Sequence, residues 1–390
     1  MYSCRLVFSQ IMDLLSLRDL RRCADRYPDR RATRTFSYLD QFLCMAFAHL
    51  TCRESRRDIE SCLRAVSTKL YHLGIRGTVS RTALAYANEQ RDWRVFADFA
   101  QVIITEAREL YAKDPDVADL TQTIYALDST TIDLCLELFP WAKFRRTKAA
   151  VKLHTLIDLR GSIPTFIHIT DGKTHDVNAL DVLTPEPGAY YIMDRGYQDL
   201  ERFHRRHLAG SFFVTRPKTT LLLRRIQSQP CDKTTGVRSD GIVMTISVKT
   251  ATAYPERLRR IRFRDAETKK TLEFITNDFV LPAHIIAALY MARWQVELFF
   301  KWVKQHLHIK AFFGASENAV KTQVWIAMSV YVLIAILRKR MELEHLTLWQ
   351  ISQVLSLTCF EKRPVNSLFL YEKPENPECQ VGKQLSFLNL

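Results

Sequence analysis

The sequence predicts an α/β protein in which helices come first and a β-rich region follows. Three observations support this: a helical pattern at the start, short apolar runs typical of strands from Thr121 onward, and a strongly amphipathic helix after a long β-rich stretch. We expect an all-helical N-terminal domain over 1–118, an α/β domain over 119–345 with a β-rich insertion at about 217–280, and a C-terminal helix and tail over 346–390.

The charge of the chain indicates the kind of partner it binds. Its 390 residues include 56 Lys and Arg against 42 Asp and Glu, which gives a net charge of +14 and a pI near 9.4. Such a surplus favours a polyanionic partner, most simply nucleic acid. The apolar content of 47% is ordinary for a globular protein.

The cysteines and apolar runs predict a cytoplasmic protein. Nine cysteines are scattered without a C-x-x-C pair, which is typical of reduced thiols. The first residues lack an apolar signal core, and the longest apolar run, Trp325 to Leu337, is too short to cross a membrane. We therefore expect a soluble protein with no membrane partner, and we interpret that run as a buried helix.

The N-terminal region contains a candidate helix-turn-helix. Arg56 to Ala65 would form its first helix, Gly74 and Gly77 its turn, and Ser80 to Gln90 its second helix, with Ser80 as N-cap. The exposed DNA contacts on the second helix would be Arg81, Tyr86 and Asn88. A helical bundle with a solvated basic face is equally compatible with this pattern.

The next region has the strand order of an RNase H-like fold. A charged turn, Lys113-Asp114-Pro115-Asp116, precedes it as the expected domain boundary. We predict strands at Thr123 to Asp128, Ile132 to Glu137, Val151 to Leu159 and Thr165 to Thr170, a helix near Asp176 to Leu183, and a strand ending at Asp194. Asp128 is then on the first of these strands and Asp194 at the end of the last one, which corresponds to the fourth strand of an RNase H-like fold.

Two apolar runs end in an aspartate, at Asp128 and Asp194. Carboxylates at the rim of an open α/β sheet lie where such sheets bind ligands. Together with Glu297 on a later helix, they offer hard oxygen ligands for a pair of Mg²⁺ ions, which could clamp a phosphodiester. His175, with Asp176, could place an imidazole near the metal, although a turn and helix cap explains that pair more simply.

The predicted helix from Tyr290 to Lys304 has one narrow polar stripe. Tyr290, Arg293, Glu297 and Lys304 fall within roughly 60° of one another on a helical wheel. The opposite side is apolar, with Val296, Leu298, Phe299, Phe300, Trp302 and Val303. A surface helix carrying an i,i+4 ion pair between Arg293 and Glu297 would share this pattern.

These residues resemble the DDE transposases of bacterial insertion sequences, in the IS-four family. Tyr290, Arg293, Glu297 and Lys304 match that family's Y-(2)-R-(3)-E-(6)-K signature, and the segments around Asp128 and Asp194 look like its two aspartate boxes. The resemblance implies that Asp128, Asp194 and Glu297 are catalytic and hold two Mg²⁺ ions, with Mn²⁺ as an alternative. It also implies a cytoplasmic, nucleoid-associated homodimer on double-stranded DNA, at terminal inverted repeats and target DNA.

Further DNA contacts are expected around this set. Tyr290, Arg293 and Lys304 would grip the backbone beside the scissile phosphate, and Arg195 directly follows Asp194. The stretch from Lys218 to Lys270 holds 13 Lys and Arg against 5 Asp and Glu. The insertion contains predicted strands at Leu258 to Arg264 and Thr271 to Thr276. In the first, a two-residue period puts three arginines on one strand face, where they can meet phosphates: Arg260, Arg262 and Arg264.

The chemical route is a separate expectation. Relatives of this family release their element through a DNA hairpin, helped by a flipped base stacked on aromatic rings that include a tryptophan of the insertion. The insertion here lacks tryptophan, and Tyr254 is the candidate substitute. Two other functions stay open: an RNase H-like DNA nuclease, and a domesticated DNA-binding protein without catalysis. The complete acidic set argues against the second.

Overall fold

The N-terminal part of the chain is helical, as expected. A computed structural model of the protein describes residues 5–28, 36–114, 120–306 and 312–370. Before the first strand, this described part contains α1 (Val7–Met12), α2 (Leu17–Asp25), α3 (Tyr38–Leu50), α4 (Arg56–Ala65), α5 (Arg81–Gln90) and α6 (Arg94–Tyr111). The expected boundary residues Pro115 and Asp116 lie outside the described residues, as does the boundary at 118–119 itself.

The two helices of the predicted helix-turn-helix are confirmed as α4 and α5. Ser80 is the N-cap of α5, because its hydroxyl accepts the Ala83 N–H at 3.1 Å. The connection from 66 to 80 is longer than a tight turn, and it contains two short 3₁₀ turns ending at Gly74, whose φ is +85°. One detail was wrong: Asn88 is buried, and its Oδ1 accepts from Gln41 Nε2 at 2.8 Å.

Within the described residues, ten strands form one sheet with both parallel and antiparallel pairs. They are β1 (Ile124–Leu134), β2 (Lys143–Arg145), β3 (Lys148–Asp158), β4 (Ile163–Asp171), β5 (Tyr190–Met193), β6 (Phe212–Thr215), β7 (Leu223–Gln229), β8 (Val237–Thr245), β9 (Leu258–Arg264) and β10 (Thr271–Thr276). Their order is β2-β3-β1-β5-β6-β10-β9-β8-β7, with β4 on β3. β3 is antiparallel to β1 and β4, whereas β1, β5 and β6 run parallel.

The first strand is longer than predicted. We expected one strand to end at Asp128 and another to begin at Ile132, but β1 runs through both. The polar Ser-Thr-Thr between them resembles a turn in sequence, yet Ser129 pairs with His154 and Thr131 with Lys152 on β3. Threonine is β-branched and suits a paired strand, so the neighbouring strand decides this segment.

The remaining helices among the described residues cover the faces of the sheet. They are α7 (Ala179–Val182), α8 (Leu200–Leu208), α9 (Val248–Ala253), α10 (Ala283–Met291), α11 (Trp294–His306), α12 (Glu317–Arg340) and α13 (Leu348–Thr358). The stretch from Tyr290 to Lys304, predicted as one helix, is therefore two. Arg293 and Val296 donate their N–H groups to carbonyls three residues earlier, which tightens the chain between α10 and α11.

The predicted β-rich insertion extends the central sheet. Its strands β9 and β10 have the predicted bounds, and β10 pairs with β6 through Ile275 opposite Thr215 and Thr276 opposite Val214. The insertion is thus hydrogen-bonded directly to the parallel strand next to β5. Its arginines consequently lie on the same sheet as Asp128 and Asp194.

Helix α12 lies in the core that the N-terminal helices share with the sheet. Among the described residues, it is the one helix long and apolar enough to span a membrane, yet 94% of its most apolar window is buried inside the protein. α3 and α6 pack against it from one side and β4 from another. One apolar cluster accordingly runs from Leu6 to Phe369, so the N-terminal helices and the sheet share a core.

The C-terminal segment returns to the first helix. Lys362 forms an isolated β-bridge with Leu6, and a short 3₁₀ turn follows at Val365–Leu368. The rest of the predicted tail, 371–390, lies outside the described residues, together with Cys4 and Cys379. The structure joins none of its described cysteines in a disulfide.

Candidate active site

The parallel pairing of β1 and β5 brings Asp128 and Asp194 to one level of the sheet. Leu127 opposite Met193 is the last residue pair of these strands, and each aspartate follows directly. Only β5 ends there, because a 3₁₀ turn begins at Arg195. The prediction that both strands end at their aspartate was wrong for β1. This strand continues past Asp128, where β5 no longer lies beside it.

Strand alternation decides which way Asp128 faces. Ala126 and Ile192 belong to the apolar cluster that contains α12, whereas Leu127 and Met193 belong to a second cluster on the other face, with α8. Asp128 has the parity of Ala126, so its carboxylate lies on the α12 side of the sheet. This is the side on which α11 contacts β1.

Arg293 connects two of the three predicted acidic residues. Its Nη1 donates to Asp128 Oδ2 at 2.8 Å, and its Nη2 donates to Glu297 Oε1 at 2.7 Å. The i,i+4 ion pair anticipated from sequence is therefore present, but the same guanidinium also reaches the sheet. Its Nε is buried and has no hydrogen-bond partner in the described part of the chain.

The other two residues of the polar stripe contact the same rim. The Tyr290 hydroxyl lies 3.4 Å from Asp194 Oδ1, and its ring packs on Phe274 with centroids 4.7 Å apart. Lys304 Nζ donates to the Thr131 carbonyl at 2.9 Å, three residues beyond Asp128 on β1. The helix that carries the stripe is broken in two, but its four residues still lie together. Tyr290, Arg293 and Lys304 contact the sheet near the two aspartates, and Glu297 is bonded to Arg293.

The apolar side of the stripe was predicted almost correctly. Val296, Phe299, Phe300 and Val303 are buried, but Leu298 is 46% exposed. Because α11 begins only at Trp294 and is packed along one side, the buried arc is narrower than the sequence pattern suggests.

The electrostatics favour a positive ligand at Asp128. Burial raises the pKa of Asp128 to about 6, and the nearby negative charges of Asp194 and Glu297 act in the same direction, against the Ser129 N–H and Arg293. A cation near Asp128 would relieve this cost. The pKa of the Tyr290 hydroxyl is raised as well, mainly by its burial.

The residues present suit a divalent cation by their chemistry. Three carboxylates supply hard oxygen donors, and a buried carboxylate beside two others requires positive charge. In the described ranges, no three His, Cys, Asp or Glu side chains are drawn together at ligand spacing. Instead, a guanidinium lies between Asp128 and Glu297, so a cation bound by both would require Arg293 to release at least one of them.

A second polar cluster, missed by the sequence analysis, lies behind Asp128 on the opposite face of the sheet. Asp176 Oδ1 accepts the Ser129 hydroxyl at 2.6 Å and lies 3.2 Å from Lys152 Nζ. The Ser129 N–H in turn donates to Asp128 Oδ1 at 2.8 Å. His154 is fully buried with its Nδ1 3.8 Å from Asp176, and burial lowers its pKa to about 4.

The structure thus changes the interpretation of the His175-Asp176 pair. His175 is exposed and makes no side-chain cap, whereas Asp176 bonds the residue next to Asp128. The signal that could have found it is the register of β1 on β3, which sets Ser129 opposite His154. That register cannot be read from Asp176 and its neighbours alone.

The remaining predicted DNA contacts are exposed to different degrees. Arg195 is exposed on the turn after Asp194, and Arg81 is exposed at the start of α5 with its backbone N–H bonded to Glu60. Arg260 and Arg262 are 22% and 52% exposed and lie 3.9 and 3.8 Å from Glu273, and Arg264 is exposed beside them. The predicted alternation is present, but Glu273 offsets part of its charge.

The candidate base-stacking residue Tyr254 is part of the core. It is 1% exposed, its hydroxyl is hydrogen-bonded to His207 Nδ1 at 2.8 Å, and Phe213 contacts its ring. Phe274 is fully buried too. Assigning Tyr254 to a flipped base was therefore wrong, because stacking there would require unpacking the core.

Comparisons with known proteins agree on a family. Residues 119–333 match the transposase DDE domain, and residues 3–76 match a domain of unknown function. A protein named as a transposase, y4zB of Sinorhizobium fredii, is 32% identical over 316 residues, which is 78% of this chain and 85% of that protein.

Two further relatives carry the names of insertion sequences. A transposase of element IS5377 from Geobacillus stearothermophilus is 34% identical over 53% of this chain and 55% of that protein, and one of element IS4SA from Synechocystis is 28% identical over 68% and 74%. A solved piggyBac transposase synaptic complex with hairpin DNA aligns over 94% of this chain and 80% of that one, at 8% identity and a TM-score of 0.42, which is too distant to support an argument.

Proposed function

Because the chain belongs to the DDE transposases of insertion sequences, which cut DNA and transfer its strands, we propose that it moves its own element by cut-and-paste transposition. Its substrates would be the terminal inverted repeats of that element and then a target DNA. One observation carries the proposal. Asp128 and Asp194 directly follow the last residue pair between β1 and β5, and Arg293 bonds both Asp128 and Glu297.

The family implies a divalent metal cation, and we take it to be Mg²⁺, with Mn²⁺ as an alternative. Asp128, Asp194 and Glu297 would hold two ions. When bound, such ions activate a water or a 3′-hydroxyl and stabilise the leaving oxygen. The raised pKa of Asp128 supports this assignment.

The polar stripe has a positioning role in this proposal. Arg293 would hold Asp128 and Glu297 in place, and its guanidinium fork has the geometry to bind a DNA phosphate. Tyr290 orients Asp194, to which its hydroxyl is adjacent. Lys304 contributes a point charge farther along β1.

The regions of the chain would divide the work. We assign end recognition to 1–118, with Arg81 on α5, and catalysis to an RNase H-like core within 119–345. The exposed arginines of the insertion (about 217–280), Arg262 and Arg264, and Arg195 beside Asp194, would follow the DNA backbone. The segment 346–390 would support the core through α13, which packs on α12.

The assembly and location follow from the same activity. Two ends of one element must be brought together before joining, so we propose a homodimer on DNA. Since the substrate is the host chromosome, the protein would act in the cytoplasm, at the nucleoid.

The proposal is tested with the DNA that flanks the coding region. Labelled duplex spanning one flank should be cut at the boundary of the inverted repeat when Mg²⁺ is added and left intact with chelator, as seen on a denaturing gel. A covalently closed product would identify the hairpin route, which stays a hypothesis here. Cutting without preference for the repeat would favour a nuclease, and no cutting of any flank would contradict the proposal.

A further inference from the structure

The hairpin of β2 and β3 carries an unneutralised group of cations. Four exposed, positively charged side chains lie within a stretch of six residues, and we call them the basic hairpin: Lys143, Arg145, Arg146 and Lys148. None of them lies within ion-pair distance of a carboxylate in the described residues. Many other arginines are paired, for example Arg202 with Asp181 and Asp199.

The basic hairpin is held in a fixed position. Lys143 pairs with Ala149 and Arg145 with Lys148 across the two strands. The ring of Phe144 packs on Gly172 so closely that a Cβ there would lie 2.7 Å from it. Trp141 Nε1 anchors the approach by donating to the Ala315 carbonyl at 2.7 Å. The charged residues of the basic hairpin are therefore held in place by the sheet.

The same sheet sets the distance from the basic hairpin to the candidate catalytic residues. β1 continues from Asp128 to Leu134, which pairs with Ala149 at the base of the hairpin. At about 3.4 Å per residue, this stretch advances roughly 20 Å. Lys304 contacts β1 between the two, at Thr131, so positive charge continues along this edge.

We propose that the basic hairpin binds the backbone of double-stranded DNA whose scissile phosphate lies at Asp128. Successive phosphates of one strand advance about 3.4 Å along the duplex axis, so a contact roughly 20 Å away along that axis falls about six nucleotides from the cut. This inference deepens the proposed function and rests on it. The bound phosphates belong either to the element's own end and flank or to the target DNA, and the experiment separates these sources.

The test compares two double variants of the full chain. R145Q/R146Q removes two charges from the basic hairpin, and K362Q/R363Q removes two exposed charges from the C-terminal segment as a matched control. Binding is measured against salt with three duplexes: an intact flank, a pre-cut end without flank, and an unrelated target. Each phosphate contact contributes about 0.9 to the slope of log K against log salt. The R145Q/R146Q variant should therefore show a slope smaller in magnitude by about 1.8 on the duplex that the basic hairpin binds.

The outcomes separate the possibilities. A lower slope on the flank and pre-cut end assigns the basic hairpin to the element's own DNA, whereas a loss confined to target binding and strand transfer assigns it to the target. Equal slopes for both variants on all three duplexes would overturn the inference. Wild-type protein that binds with the expected slopes but never cuts would contradict the proposed catalysis and leave the hairpin contact standing, while absence of binding would contradict both.

Discussion

Two arginines, Arg259 on β9 and Arg293 between α10 and α11, bind carboxylates in different ways. Arg259 in the insertion is nearly fully buried, and its Nε and Nη2 bond both oxygens of Asp240 at 3.0 and 2.6 Å while Nη1 donates to the Leu281 carbonyl. Arg293 bonds one oxygen of Asp128 and one of Glu297, whose side chain is 59% exposed, and its Nε has no hydrogen-bond partner among the residues that the structure describes. Each nitrogen of Arg259 has a partner, whereas Arg293 divides two of its nitrogens between two separate carboxylates.

The comparison indicates how a site differs from a core on one scaffold. A buried pair with every hydrogen bond made serves the fold, since breaking it leaves an uncompensated charge. A pair that ends at an exposed carboxylate, with a neighbouring acid whose pKa is raised to about 6, is suited to take up a further ligand.

The largest effect is expected at the acidic residues. Asp128→Ala, Asp194→Ala or Glu297→Ala should each lower strand cleavage by about three orders of magnitude, because each would remove a metal ligand worth several kcal/mol. End binding, measured by gel shift in chelator, should stay close to wild type. Near-normal cleavage by one variant would remove that residue from the site.

The next effect concerns stability and separates the two arginines. Arg259→Ala should lower the free energy of unfolding by about 3–5 kcal/mol, as Asp240 is left buried without a partner. Arg293→Ala should cost less than half of that, since Glu297 is mostly exposed and Asp128 keeps the Ser129 N–H. Urea unfolding of both variants decides, and equal losses would cancel the distinction.

For the rate of DNA cleavage, the order of the two arginines should be reversed. Arg293→Ala should reduce cleavage by about two orders of magnitude, the effect of losing one positioned donor, with end binding little changed. Arg293→Lys should restore only part, because lysine lacks the bidentate fork. Unchanged cleavage by Arg293→Ala would reduce its contacts to an ordinary ion pair.

A smaller effect is expected behind the sheet. Asp176→Asn removes the charge that fixes Ser129, so Asp128 should be held less well and cleavage should fall about tenfold. The Mg²⁺ concentration for half-maximal cleavage should rise. Ser129→Thr, which keeps the hydroxyl, serves as the control against Ser129→Ala, and identical behaviour of those two would contradict this role.

The smallest effect concerns the N-terminal helices. Arg81→Gln in the full chain should reduce the salt slope of end binding by about one, as for one phosphate contact, without altering the cleavage rate of bound DNA. An isolated N-terminal fragment is a poor test. Tyr111 of α6 bonds the Ala335 carbonyl of α12, so such a fragment would lose part of its core.

Local patterns were enough to predict much of this molecule. The N-cap at Ser80, the bounds of β9 and β10, and the buried helix at α12 each depend on residues close in sequence. Asp128 and Asp194 each follow an apolar run in sequence, and the structure brings both to one level of the sheet. Their catalytic role stays a prediction.

The remainder depends on pairing between distant segments. Asp176 reaches Ser129 only because of how β1, β3 and β4 align, and Asn88 is buried only because Gln41 of α3 lies beside it. The break at Ala292 has no Gly or Pro to signal it, and the two helices contact different strands: α10 contacts β5, β6, β8 and β9, whereas α11 contacts β1. Tyr254 likewise became core through contacts with α8 and β6.

The most direct measurement replaces Mg²⁺ with Fe²⁺ in the complex with end DNA and generates hydroxyl radicals with ascorbate and peroxide. Radicals cut the polypeptide only near the bound iron. If Asp128, Asp194 and Glu297 hold the metal, the fragments should map to cuts beside these three residues, and excess Mg²⁺ should suppress them. Cuts confined to other segments, or fragments unaffected by Mg²⁺, would contradict the assignment of the metal to this rim of the sheet.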